Sequence, residues 1–161
     1  MEFWSYFSWA RARLGDHETG SEELRECIAV ITASGIKSFV PFFHGLPAEI
    51  EAERQDVEQA LTRIDEALGL AQQTGEHWTD AFLHRIRGEI LLKRDPANTS
   101  PAEDAFLTAI AIAQQQKART FELHAAISMA RSGAIKASGM KHATLSLRPT
   151  DASPRALTRR T

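Results

Sequence analysis

Residues 20–35 read GSEELRECIAVITASG, residues 60–75 read ALTRIDEALGLAQQTG, and residues 102–117 read AEDAFLTAIAIAQQQK. Aligned at their last residues, Gly35, Gly75 and Lys117, they carry a small–large–small triplet in one phase. It is Gly20, Leu24 and Cys27 in the first, Ala60, Ile64 and Ala67 in the second, and Ala102, Phe106 and Ala109 in the third, with offsets of 40 and 42 residues. The spacing sets each triplet on one face of a helix. Small residues let a neighbouring helix come close, and the large one fills the space between. Recurrence at a fixed period of this length is the signature of stacked helical repeats.

Outward from these stretches the periodicity stays helical. Leu61, Ile64, Ala67, Leu68 and Ala71 follow i, i+3, i+4, i+7 spacing, as do Phe82, Leu83, Ile86, Ile90 and Leu91. No segment alternates with a period of two, so strands are not expected. The punctuation predicts helices over about 2–14, 18–34, 46–54, 56–74, 78–94, 101–117 and 119–131. Pro41 and Pro47 place the start of the third helix late. Ser100, Pro101 and Glu103 read as an N-cap, a first-turn proline and a capping-box acid. The expected core is Leu24, Ile28, Ile64, Leu68, Leu83, Ile86, Ile90, Phe106 and Ile110.

The pattern resembles tetratricopeptide repeats. Gly15-Asp16-His17 followed by Gly20 looks like that family's inter-helix turn, and Trp4, Phe7 and Ser8 match the large, large and small positions of its first helix. The later copies depart from it, with Pro47-Ala48 and Arg87-Gly88 at those places. The words WARARLGDHETGSEELR, TGEHWTDAFLHRIRGEILL and AFLTAIAIAQQQKARTFELHAAISMAR are similar to the C-terminal repeat region of bacterial regulatory ATPases, often linked to class III adenylate or guanylate cyclase domains. The resemblance implies an all-α, tetratricopeptide-like solenoid of antiparallel helix pairs. It implies a protein–protein interaction scaffold, a fragment of a larger signalling ATPase or cyclase-type regulator with a protein partner; it does not imply catalysis by this piece, and no catalytic residue or cofactor is assigned.

The chemistry legible in the residues is sparse. No phosphate-binding glycine loop of either common type occurs. The 19 basic and 21 acidic residues nearly balance, which gives no global field for nucleic acid or an anionic membrane. No apolar run approaches a membrane span, and a cytoplasmic chain is expected. Cys27 is the single cysteine, so an intramolecular disulfide is excluded, and a packed small residue is expected there. His77, Asp80 and His84, spaced i, i+3, i+7, carry the alternative function: an enzyme subunit or small metal-binding protein using that face. The bland reading of the three is packing between helices, and no metal ligand is assigned. Glu49 with Glu53, and Arg85 with Glu89, are i, i+4 pairs that would line a concave partner-binding face. The two glutamates repel, so a basic ligand would offset them. Phe39, Val40, Phe42 and Phe43 are expected to bury against the next helix pair.

The chain divides into a repeat domain, residues 1–131, and a tail, residues 132–161. The tail carries Lys136, Lys141, His142, Arg148, Arg155, Arg159 and Arg160 against the one acid Asp151, and is expected to be disordered. Read from the third base of each codon, its two halves can encode WRDQGKRDEARD and AYGCFTEGFDTAD, strings that resemble the continuation of the same repeat family. The expectation is a single-base shift of frame near the codon for Ser132, which the DNA sequence tests directly. Such a tail leaves Leu123, Ile127 and Met129 covered on one side only, and predicts self-association through uncapped ends.

Overall fold

The computed structural model describes the backbone of residues 2–35 and 39–146, and the side chains of residues 7–35 and 39–137. Within them lie α1 (Glu2–Arg13), α2 (His17–Ala33), α3 (Val40–Glu53), α4 (Val57–Thr74), α5 (Asp80–Arg94), α6 (Ser100–Gln115) and α7 (Arg119–Ser146), with a single 3-10 turn, His77–Thr79, leading into α5. No strand occurs among the described residues, so the fold is all-α.

Each odd-numbered helix packs on the even-numbered helix that follows it, and α6 packs in turn on α7. The odd-numbered helices also touch one another in order, α1 on α3, α3 on α5 and α5 on α7. The turns explain this regularity. Gly35, Gly75 and Lys117 have φ of 73°, 74° and 57°. These left-handed conformations end α2, α4 and α6 at the residues the sequence aligns. At the other end, Gly15 and Gln55 have φ of 114° and 67°. The two turns match bond for bond: Asp16 N–H donates to the Arg11 carbonyl at 3.2 Å, and Asp56 N–H to the Glu51 carbonyl at 3.1 Å. A 6→1 bond of this kind closes a helix C-terminus. The third turn is longer and is built differently, with Asp95 Oδ1 accepting from the N–H groups of Ala97 and Asn98 at 3.1 and 3.2 Å.

The repeated triplets are where the helices meet. Gly20, Leu24, Ala60, Ile64, Ala67, Ala102, Phe106 and Ala109 are all buried, and Cys27 is half-buried. A second recurring row lies on the odd-numbered helices: Ser8, Ala48, Gly88 and Ser128, spaced by forty residues, are also buried. A Cβ on Gly88 would sit 2.5 Å from the Phe106 ring, and one on Gly20 would sit 2.6 Å from the Ser8 carbonyl. No side chain fits at either place. Two apolar clusters result, one around Leu24, Phe42, Phe43 and Leu46, the other around Ile64, Leu83, Ile86, Ile90 and Phe106, with Phe82 packed against both. Burying each of these large side chains stabilises the fold by about 1.5–3 kcal/mol.

Several expectations need correction. Among the expected core residues, Ile28, Leu68 and Ile110 are only half-buried. The third helix begins at Val40, not 46, and runs through Pro47. Pro41 falls in the first turn, where the missing N–H costs nothing. Pro47 is held inside because ten residues of α3 are buried, and that burial outweighs one lost backbone bond. Thr99, not Ser100, flanks α6; its hydroxyl donates to Glu103 Oε1 at 2.8 Å, and this side-chain pair stands in place of the expected capping box, with no side-chain bond to a capping N–H. The largest difference is the tail. Helix α7 continues past Arg131 to Ser146. Ser132 is fully buried, and Lys136 reaches Glu103 at 3.2 Å. The run from Ala134 to Ala137 contains no helix breaker, so α7 propagates through it once its first turns are anchored. Residues 147–161 lie outside the described residues.

Candidate interaction groove

The odd-numbered helices present one polar row to a shared groove. The row begins with Trp9 and Arg13, four residues apart on α1, and continues with Glu49 and Glu53 on α3 and with Arg85, Glu89 and Lys93 on α5. An i, i+4 spacing places each set on one side of its helix. The forty-residue repeat brings the sets into register.

Glu49 is the hub. It is 6% exposed and lies near three donors: Trp9 Nε1 at 3.0 Å, Arg13 Nη1 at 3.1 Å and Arg85 Nη2 at 3.3 Å. Arg13 also holds Glu53 at 3.1 Å, and Arg85 holds Glu89 at 2.8 Å. Glu89 Oε1 accepts a further bond from the Ser128 hydroxyl at 2.6 Å. A continuous network therefore links α1, α3, α5 and α7. Both guanidinium groups also lie over aromatic faces, Arg13 over Trp9 at 5.3 Å and Arg85 over Phe82 at 5.4 Å. Such stacking fixes the planar group in place.

Beside this network is a cavity of about 430 Å³. Arg13, Glu49, Glu53, Glu89, Lys93, Ser128 and Arg131 form its polar wall, and Ile86, Ile90, Phe106 and Ile135 are among its apolar lining. Mixed lining of this kind suits ligand binding, with apolar contact for affinity and a few polar groups for orientation.

The structure thus brings together Glu49, Glu53, Arg85 and Glu89, the residues singled out by pattern. It corrects the reading of the acidic pair. Glu49 and Glu53 do not await a basic ligand, because Arg13 already bridges both. Trp9, Arg13, Ser128 and Arg131 were not among the sequence candidates. A signal for the first two existed, since stepping back forty residues from Glu49 and Glu53 lands on them. A ladder of aromatic rings was also missed. Phe42, Phe82 and Phe121 bring rings together from α3, α5 and α7, with centroids 5.0 and 6.2 Å apart, Phe121 standing one residue short of the forty-residue register. Phe42 and Phe43 are buried, as their pattern implies, while Phe39 remains 38% exposed.

The remaining candidate chemistry is not assembled. His77 Nδ1 lies 2.8 Å from Asp80 Oδ2, while Asp80 Oδ1 is buried without a hydrogen-bond partner. Among the described residues no group of three histidine, cysteine or acidic side chains is placed to hold a metal ion. Burial holds the His84 imidazole below its ordinary pKa, with Arg87 adding to the effect against the opposing pull of Asp80 and Asp65. His44 is lowered likewise, by burial first and then by Arg63. The Cys27 thiol is pushed up by burial and by Glu23 and Glu26, away from the thiolate that nucleophilic chemistry needs.

Comparison with protein-family models, with curated proteins and with solved structures finds no match. No described helix is long and apolar enough to cross a membrane.

Proposed function

We propose that this chain is a protein-interaction module, a tetratricopeptide-like solenoid of helix pairs whose odd-numbered helices line the docking groove. The observation that carries the reading is the network on Glu49. It spans four helices, yet it forms the wall of an open groove with an apolar floor. Each of its carboxylates is bonded to an arginine, a tryptophan N–H or a serine hydroxyl. That arrangement holds helices in register and offers no free base for proton transfer, so the proposed role is non-catalytic.

The recurrence of turns and buried small residues at a forty-residue period supports the solenoid. The sequence resemblance supports the wider proposal that the module is part of a signalling ATPase or cyclase-type regulator. The test is capture of a protein partner by the immobilised chain, repeated with the uncharged variants Ile135→Gln and Leu107→Gln. Both residues are about half exposed, and only Ile135 lines the groove. Loss of the partner with Ile135→Gln alone is expected. Equal loss with both, or with neither, sinks the groove as the docking face.

A further inference from the structure

The groove is unevenly matched in charge. Arg13 and Arg85 share the three carboxylates Glu49, Glu53 and Glu89. Lys93 and Arg131 have no such partner. Lys93 donates only to the Ala52 carbonyl, at 3.3 Å, which leaves most of its donor capacity unused. No described residue forms a hydrogen bond or ion pair with Arg131. The repeat explains the gap at Lys93. In the row Arg13, Glu53, Lys93, the next position forty residues on is Gly133, which supplies no carboxylate and has open space around it.

We propose that the groove receives an acidic, partly apolar peptide segment of a partner protein. Its side-chain carboxylates seat at Lys93 and Arg131, and its apolar side chains rest on Leu92, Pro96 and Ile135, the apolar lining residues that keep exposed surface. This rests on the reading of the groove as a docking face. A basic segment fits poorly. The carboxylates it would seek are already shared with Arg13 and Arg85, and its own cations would come to lie beside the unpaired charges of Lys93 and Arg131. An acidic segment needs no internal bond broken. The apolar floor favours a peptide over a nucleic-acid strand, which would present phosphates and sugars to Leu92 and Ile135.

The test uses the full chain and three fluorescein-labelled probes in polarisation titrations at low and physiological salt. One is a peptide alternating glutamate and leucine, one its lysine–leucine counterpart, and one an oligothymidylate of equal length. The acidic peptide is expected to bind, to weaken with salt, and to lose about tenfold or more in affinity in the Lys93→Glu, Arg131→Glu double variant. Both positions are exposed and carry no ion pair, and matched thermal melts confirm that the variant is folded. Unchanged affinity in the double variant overturns the proposal. So does oligothymidylate binding as tightly as the peptide. Preferred binding of the lysine peptide, lost with Ile135→Gln, overturns the polarity while leaving the groove as a docking face. Binding of no probe overturns the proposal and removes support from the groove as well.

Discussion

Gly88→Ala should destabilise this protein by about 2 kcal/mol, although alanine is the better helix former by about 1 kcal/mol. The reason is the distance between α5 and α6. A Cβ at position 88 would lie 2.5, 2.7 and 3.0 Å from three atoms of the Phe106 ring. That ring is fully buried, so it has little room to swing away. Overpacking a tight core costs about 1–3 kcal/mol, and contacts this short on three ring atoms belong at the upper end. Subtracting the helix-propensity gain leaves about 2 kcal/mol of net loss. The control is Gly69→Ala in the interior of α4, where nothing lies within 4 Å of the added carbon. It should stabilise by about 0.5–1 kcal/mol. Urea unfolding followed by far-ultraviolet circular dichroism measures both, with equal slopes required for the comparison. Adding Phe106→Leu to Gly88→Ala should recover about 1 kcal/mol relative to the sum of the single changes, because the ring is what the methyl strikes. If Gly88→Ala stabilises as Gly69→Ala does, α5 and α6 do not approach as described, and the repeat packing built on that contact is wrong.

Other expectations follow from the same contacts. Glu49→Ala leaves Trp9 Nε1 without its acceptor and removes a carboxylate from Arg13 and Arg85; a loss of about 2–3 kcal/mol in urea unfolding is expected, and less than about 1 would refute the hub. Lys117→Gly relieves a left-handed backbone at a place where the other copies carry Gly35 and Gly75, and should stabilise by about 0.5–1 kcal/mol in the same assay. His44 and His84 have folded pKa values below their ordinary ones, so the unfolded chain binds protons first as pH falls. Their contribution is present above about pH 6.5 and is lost below it; melting temperature should drop from neutral pH toward pH 5, and His84→Gln should flatten part of the slope. Truncation after Arg131 removes buried Ser132 and Ile135, which is 42% exposed, and should cost about 1–2 kcal/mol, where a wholly unpacked tail predicts no change.

What was legible in the sequence was what a single helix or turn demands of its own residues. Gly35, Gly75 and Lys117 mark helix ends because a left-handed backbone is a local requirement, and Leu24, Ile64 and Phe106 mark the core because burial selects size at fixed spacing. The start of α3 was not legible. Its two prolines argue against a helix, and only burial by neighbours outweighs them. The groove was half legible. Reading one helix at a time gives Glu49 and Glu53 as a repelling pair, since the cation between them comes from α1. The tail failed for a related reason: weak periodicity after Arg131 says little about a helix whose first turns are already anchored on α5 and α6.

The groove network is better understood as a device for position than as a source of stability. Taking Glu49 and Arg85 out of water is costly, and apolar residues of similar shape would hold four helices together at least as well. Apolar side chains would also leave the wall of the cavity without charge. Repeating one row of positions through the odd-numbered helices solves that problem cheaply, because each copy can carry the sign its neighbour lacks. Arg13 faces Glu53 and Glu49, and Arg85 faces Glu49 and Glu89. The alternation stops at α7, where Met129 stands forty residues after Glu89 and Gly133 offers nothing to Lys93. The cations left over at that end are therefore a consequence of where the pattern breaks, and they give the groove a direction: neutralised toward α1, cationic toward α7. A partner that reads this gradient has one orientation open to it. Moving the surplus, by Gly133→Glu to engage Lys93, should weaken an acidic ligand without touching any residue of the apolar floor.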